Sequence, residues 1–157
     1  MSINKNLVSI KKTITEQNNA LIEMTKLINN SVIKAINLLN KSSGKIVVTG
    51  LGKSGHIGLK ISATLSSTGS PSTFVNCSEA NHGDLGIIEK KDIILALSKS
   101  GETKEMIPII NYAKNNKIKL IGITSNPDSY LAKNSNIFCM IPNIKESCPL
   151  NLAPTTS

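Results

Sequence analysis

Along the first 40 residues, apolar positions recur every three or four residues. Leu7, Ile10 and Ile14 mark one stripe over residues 4–17, and Leu21, Met24, Ile28, Val32, Ala35 and Leu39 mark another over residues 20–40. This spacing predicts two helices, each with a single apolar face. The turn residues Asn40, Lys41, Ser42 and Ser43 and the glycine Gly44 end the second one. From Lys45 the period changes. Ile46, Val47 and Val48 form a short unbroken apolar run before Gly50, as expected of a strand covered on both faces of a parallel sheet. Further runs follow at Thr73 to Val75, Ile93 to Leu97, Leu120 to Ile123 and Ile137 to Ile141. Helical stretches are predicted between them at about 54–68, 103–115 and 128–133. Strands alternating with helices predict an α/β fold with a doubly wound parallel sheet in three layers, flanked by helices. In such sheets ligands bind beyond the carboxyl ends of the strands, which directs attention to the segments after Val48, Val75, Leu97, Ile123 and Ile141.

Composition narrows the classes. A chain of 157 residues, 39% hydrophobic and 18% charged, suits one compact domain. No apolar run reaches the length of a bilayer crossing, and the opening residues lack the apolar core of a signal peptide; these features predict a soluble cytoplasmic protein without a membrane partner. The net charge of +8 raises the question of nucleic acid, but all 18 basic residues are Lys and none is Arg. The bidentate fork that reads phosphates and base edges is therefore missing, and only two Tyr and two Phe could stack on bases. With 23 Ile and 18 Asn, the lysines read as a coding bias, and no nucleic-acid partner is expected. The three cysteines, Cys77, Cys139 and Cys148, are widely spaced and form no C-x-x-C, so neither a disulfide framework nor a zinc site is indicated.

Polar, glycine-rich clusters fall after the strands. Gly50-Leu51-Gly52-Lys53-Ser54-Gly55 matches G-x-G-x-x-G, but the second strand ends Phe74-Val75-Asn76-Cys77 without the acid a dinucleotide ribose requires. Val47 occupies the position of the first glycine of a P-loop. What remains is a glycine turn at a helix N-terminus carrying Lys53 and Ser54, suited to a small anion such as a phosphoryl group. After the third strand, Ser98-Lys99-Ser100-Gly101-Glu102-Thr103 places three hydroxyls around a glycine at the start of another helix. A capping box explains only one of them. Two such loops at one sheet edge point to a phosphate-bearing ligand. Between them, Ser78-Glu79-Ala80-Asn81-His82-Gly83-Asp84 holds one of the two histidines; the other, His56, lies in the first loop. Glu105 and Glu146 each offer a carboxylate near a strand end.

Five segments then carry a resemblance: Gly52 to Gly58, Glu79 to Gly86, Ser98 to Thr103, Asn126-Pro127-Asp128-Ser129, and Glu146-Ser147-Cys148-Pro149-Leu150-Asn151-Leu152-Ala153-Pro154-Thr155. In type and order they resemble the D-arabinose 5-phosphate isomerases of the sugar isomerase (SIS) fold, over nearly the whole chain. The resemblance implies one SIS domain over residues 1–157 with N-terminal helices within 1–44. It implies interconversion of ribulose 5-phosphate and arabinose 5-phosphate through an enediol, feeding synthesis of the octulosonate sugar of lipopolysaccharide. It carries phosphate contacts onto Ser54, Ser98, Ser100 and Thr103, other sugar contacts onto Gly69, Ser70 and His82, and catalytic roles onto Lys53, Glu105 and Glu146. Either Glu could be the base. No cofactor and no metal are implied, and a homo-oligomer, usually a tetramer, is.

Departures from the family pattern accompany the resemblance. A further catalytic histidine, the closing helix and a pair of CBS domains fall beyond Ser157 in the family. The usual His-Pro is Asn76-Cys77, which removes a possible metal or sugar contact. Pro108 is expected to kink the helix that presents Glu105. Two other readings stay open: a sugar-phosphate-binding regulatory SIS module, which would normally carry a helix-turn-helix domain, and an inactive shortened remnant.

Overall fold

The computed structural model describes residues 2–150 and 153–156. Asn151 and Leu152 of the last motif, and Ser157, lie outside the described residues. Five short strands form one parallel sheet: β1 (Ile46–Gly50), β2 (Ser72–Asn76), β3 (Ile93–Leu97), β4 (Lys119–Thr124) and β5 (Ile137–Met140), in the order β2-β1-β3-β4-β5. Each apolar run of the sequence is a strand; Ile93–Leu97 keeps its bounds, and the others are extended or trimmed by one or two residues. β1 pairs with β2 on one side and β3 on the other, so Gly50 lies beside both Asn76 and Leu97. The chain winds outward from β1 in both directions, and the switch point between β1 and β3 is where a doubly wound sheet opens a crevice.

Alternate strand residues point to opposite faces, and both faces are covered. Val47, Val75, Ile94, Ala96 and Leu120 pack with Met106, Ile109, Ile110 and Ala113 at α4 (Ile107–Asn115) and Leu131 of α5 (Tyr130–Asn134). Ile46, Val48, Ile93, Leu95 and Ile121 pack with Ala35, Leu38 and Leu39 of α2 (Asn30–Asn40) and Ile61 and Leu65 of α3 (Gly52–Ser67).

Two helical expectations are corrected. The break predicted between residues 17 and 20 is absent, and α1 runs unbroken over Ser2–Leu27. The break falls at Asn29, whose side chain accepts the Ser31 N–H and caps α2. Asn18 and Asn19 are exposed mid-helix residues that cap nothing. Nor does Pro108 kink its helix. A short 3-10 turn over Lys104–Met106 precedes α4, and Pro108 stands in the first turn of α4, where its missing N–H would have had no intrahelical partner.

The chain divides into two compact units. One runs Asn29–Met140 and contains the sheet with α2 to α5; the other combines the segments before and after it, including α1.

At the amino edge of the sheet, the buried Asp92 ties two strands together. Its carboxylate accepts the Lys45 N–H at 2.9 Å, the Lys45 Nζ at 2.6 Å and the Glu89 N–H at 2.8 Å. A Cβ on Gly44 would stand 2.6 Å from this carboxylate, so only glycine fits there. Replacing Asp92 by Ala strands these donors and is expected to cost about 2 kcal/mol of stability in denaturant unfolding. The hydrogen bond to Asp92 also raises the Lys45 ammonium above its ordinary 10.5, against the opposing effect of burial. A raised lysine contributes its full stabilisation below its unfolded value and loses it as pH climbs through the folded value. Wild-type stability is therefore expected to fall above about pH 10.5, and the Asp92→Ala chain to show a smaller alkaline loss.

Candidate functional site

Two loops leave the switch point side by side. The first follows β1. Gly50 and Gly55 let the start of α3 press against the strand end: a Cβ on Gly55 would stand 3.1 Å from the Gly50 carbonyl oxygen, and one on Gly50 would meet the backbone of Ser54 at 3.0 Å. Gly52 has a positive φ of 55°, the left-handed geometry that turns the chain into the helix. No side chain caps the start of α3. Its first-turn amides, together with the half-buried Ser54 and the exposed Lys53, are left for a ligand.

The second loop follows β3 and is built more rigidly. Ser98 is buried, its hydroxyl pairs with that of Thr103 at 2.8 Å, and it accepts the Gly101 N–H at 3.0 Å. The exposed Ser100 hydroxyl accepts the Glu102 N–H at 3.2 Å. The Lys99 carbonyl receives Thr124 Oγ1, Ser125 Oγ and the Ser125 N–H within 2.8–2.9 Å, which pins the loop to the end of β4. Glu102 accepts the Tyr130 N–H at 3.0 Å, at the start of α5.

This clamp is what motif reading missed. The Asn126 to Ser129 segment carries the signal: Asn126 Oδ1 accepts the Asp128 N–H, while the buried Ser129 donates to the Asn126 carbonyl and caps α5 through the Ala132 N–H.

The β2 loop supplies the remaining candidates. Asn76 accepts both the N–H and the hydroxyl of Ser78 through Oδ1, so its side chain forms the turn. Cys77 is fully buried; burial pushes its thiol up to about 11, with the Glu105 carboxylate adding to the effect. Such a thiol is inert at neutral pH. His82 ends a 3-10 turn over Ala80–His82 and is exposed, as is His56 on α3. Glu105 lies in the turn before α4, exposed, and makes no hydrogen bond or ion pair among the described residues.

Gly69 and Ser70 are not brought to this edge. They follow the end of α3 and lead into β2, at the amino edge of the sheet, so within one chain they stand across the sheet from the serine loop. Glu146 belongs to the other unit. It is buried there, and its Oε2 accepts the Thr155 N–H at 2.7 Å and the Thr156 N–H at 2.8 Å. Among the described residues no group of three His, Cys, Asp or Glu side chains forms a metal-binding cluster.

The switch point thus defines a class: a doubly wound α/β domain that offers an anion hydroxyls and helix-start amides from two adjacent strand ends. Residues 38–157 match the SIS domain, and the chain belongs to that family. Over 149 residues it is 46% identical to the arabinose 5-phosphate isomerase KdsD of Pseudomonas aeruginosa, covering 95% of this chain and 46% of that protein. It is 43% identical over 152 residues to the arabinose 5-phosphate isomerase KpsF of Escherichia coli CFT073, covering 96% and 46%. The chain therefore spans just under half the length of these curated relatives. A solved structure of an Escherichia coli CFT073 protein in complex with arabinose 5-phosphate superposes with a TM-score of 0.92 at 37% identity, covering 98% of this chain and 82% of that one. A Listeria monocytogenes protein superposes with a TM-score of 0.95 at 34% identity, covering 99% and 82%.

Proposed function

We propose that the chain is the SIS portion of an aldose-ketose isomerase that interconverts D-ribulose 5-phosphate and D-arabinose 5-phosphate. The observation that carries this is its likeness, over nearly its whole length, to curated isomerases of that name and to a protein in complex with arabinose 5-phosphate. In this reading the phosphate sits between the start of α3 and the serine loop, held by Ser54, Ser98, Ser100 and Thr103. Anchoring that remote end orients the reacting end. A carboxylate removes a proton from C1 of the ketose while the electron pair moves onto O2. The proton taken from C1 returns to C2 and the O1 proton passes to O2, giving the aldose. Hydrogen moves within one molecule, so the chemistry needs no redox cofactor.

We assign the base to Glu105 and stabilisation of the developing oxyanion to Lys53. An exposed, unengaged carboxylate supports the first assignment; for Glu146, whose Oε2 is taken up by backbone N–H groups, a positioning role fits better. His82, on the neighbouring loop, is proposed as a sugar contact. Gly69 and Ser70 are proposed as contacts supplied by another copy in a homo-oligomer. A charged sugar phosphate does not cross a bilayer, which supports action in the cytoplasm, where the product would feed octulosonate synthesis.

Amide spectra of the chain titrated with arabinose 5-phosphate and with unphosphorylated arabinose test the reading. Residues 52–55 and 98–103 are expected to shift with the first sugar and not the second. Shifts confined to other regions would remove the site. Binding without solvent-deuterium exchange at the sugar carbons would favour a sensor over an enzyme. Substituting Ser100 by Ala is expected to raise KM for the phosphosugar about tenfold with little change in kcat, because an exposed phosphate contact contributes to ground state and transition state alike.

A further inference from the structure

At the amino edge of the sheet, away from the serine loop, the carboxyl ends of α4 and α5 and the start of β4 enclose a cavity of about 480 Å³. Four lysines line it: Lys114, Lys117, Lys119 and Lys133. No carboxylate does, and none of the four makes an ion pair among the described residues. Their charges are left to repel one another across a concave surface, which is the condition for drawing in an anion. Asn136 adds a donor, because its Oδ1 accepts the Leu120 N–H at 2.8 Å and leaves the Nδ2 group to donate. Asn134 and Ser135 instead give donors to the Tyr130 and Leu131 carbonyls of α5.

Two of the lysines have an ordinary explanation. Lys114 and Lys133 stand in the last turns of α4 and α5, where a cation complements the helix dipole. Lys117 has none. Beyond α4, the Lys117 N–H donates to the Lys114 carbonyl at 3.2 Å and the Ile118 N–H to the Ala113 carbonyl at 2.9 Å, an ending that ordinarily carries glycine at the position of Lys117. Its φ is 58°, and among the described residues no other non-glycine residue has a positive φ. Asn takes this conformation more readily, and the chain has 18 of them. An abundance of lysine therefore does not explain a lysine held here against its backbone preference; the strain is kept for a side chain that lines the cavity.

We infer that this cavity is a second binding site, for a small polyanion carrying two or more phosphoryl groups. Its volume is that of a pocket for a small organic ligand rather than for one phosphate, and its cations are spread over four side chains. Lysines act as point charges, and neither Arg nor an aromatic ring lines the cavity, so charge density is read rather than a base or a sugar. β4 runs from Lys119 to Thr124, whose hydroxyl holds the Lys99 carbonyl of the serine loop. The two sites thus lie a strand's length apart, about 16 Å, and can be filled together.

Calorimetric titration with inorganic tripolyphosphate, accompanied by amide spectra, provides the test. Saturable binding with a Kd below about 1 mM is expected, with shifts in residues 113–120 and 133–136 that persist when arabinose 5-phosphate is present. Orthophosphate should bind at least about tenfold more weakly, because it meets fewer of the four charges. Lys117→Gly should weaken tripolyphosphate about fivefold while its melting temperature holds or rises, since glycine takes the left-handed conformation without strain. Lys117→Gly/Lys119→Gln should weaken it about twentyfold, whereas Lys34→Gln/Lys60→Gln, which removes the same charge from exposed positions of α2 and α3, should leave it unchanged. Equal losses in the two double variants would make the binding a general effect of net charge and overturn the site. Shifts confined to residues 52–55 and 98–103, equal affinity for orthophosphate, or no saturation by about 10 mM would overturn it as well. Capture of the chain by phosphatidylglycerol vesicles without tripolyphosphate binding would mark a membrane-facing patch and also overturns it.

Discussion

Replacing Glu105 by Gln is expected to lower kcat for ribulose 5-phosphate by about 10²–10⁴-fold with little change in KM. The substitution keeps the shape of the side chain and removes only its capacity to take a proton. Because the carboxylate is exposed and makes no hydrogen bond or ion pair among the described residues, the fold depends little on its charge. The neighbouring Cys77 would stay unreactive, since burial is the main cause of its raised value of about 11 and persists in the variant. Glu146→Gln is the matched comparison. Its side-chain carbonyl can still accept the N–H groups of Thr155 and Thr156, so a positioning role predicts a much smaller loss of turnover. Solvent-deuterium exchange at the sugar carbons reads proton abstraction directly. Were Glu146→Gln to abolish that exchange while Glu105→Gln preserved it, the two roles would have to be interchanged.

The strands were legible because a fully covered parallel sheet demands unbroken apolar runs. Ile93 to Leu97 is the clearest, its bounds those of β3. The same logic directed attention to the polar, glycine-rich clusters after Val48 and Leu97, and β1 and β3 are neighbours in the sheet. Helix ends were harder. Asn18-Asn19 and Asn29 are alike as residues, and only the backbone at Asn29, extended and with its side chain reaching Ser31, shows which of them caps a helix. Pro108 misled for a related reason: Thr103 offers an early start signal, whereas the 3-10 turn delays α4 until Ile107. Gly69 and Ser70 follow α3 at the amino edge, where a crossover between parallel strands must end, so their placement was implicit in the expected topology. The contact of Asp92 with Lys45 had no sequence signature, because it joins residues brought together only by strand pairing.

The tightest constraint in the serine loop is Gly101, and Gly101→Ala is expected to cost about 3–5 kcal/mol of stability, combining left-handed strain with overpacking. Its φ of 69° already disfavours any side chain. In addition, a Cβ would stand 2.5 Å from Ser129 Cβ and 2.8 Å from Thr124 Oγ1, and closer still to Ser129 Oγ. Neither neighbour can retreat. Ser129 is tied to the Asn126 carbonyl at 2.7 Å and caps α5, and Thr124 holds the Lys99 carbonyl at 2.9 Å. The loop itself would have to move, taking with it the Gly101 N–H bonded to Ser98 and the Gly101 carbonyl bonded to the Leu131 N–H. Phosphate affinity should therefore fall together with stability, even though Gly101 adds no side chain to the site. Gly69→Ala separates the two causes, because Gly69 has a φ of 91° but open space around its Cβ position. It should lose only the conformational share, about 1–2 kcal/mol. Thermal unfolding of both variants measures the difference, and titration of the Gly101→Ala chain with arabinose 5-phosphate measures its loss of affinity. Equal losses at the two positions would mean that the contacts with Ser129 and Thr124 do not hold the loop, and the rigidity ascribed to the phosphate site would have to come from elsewhere.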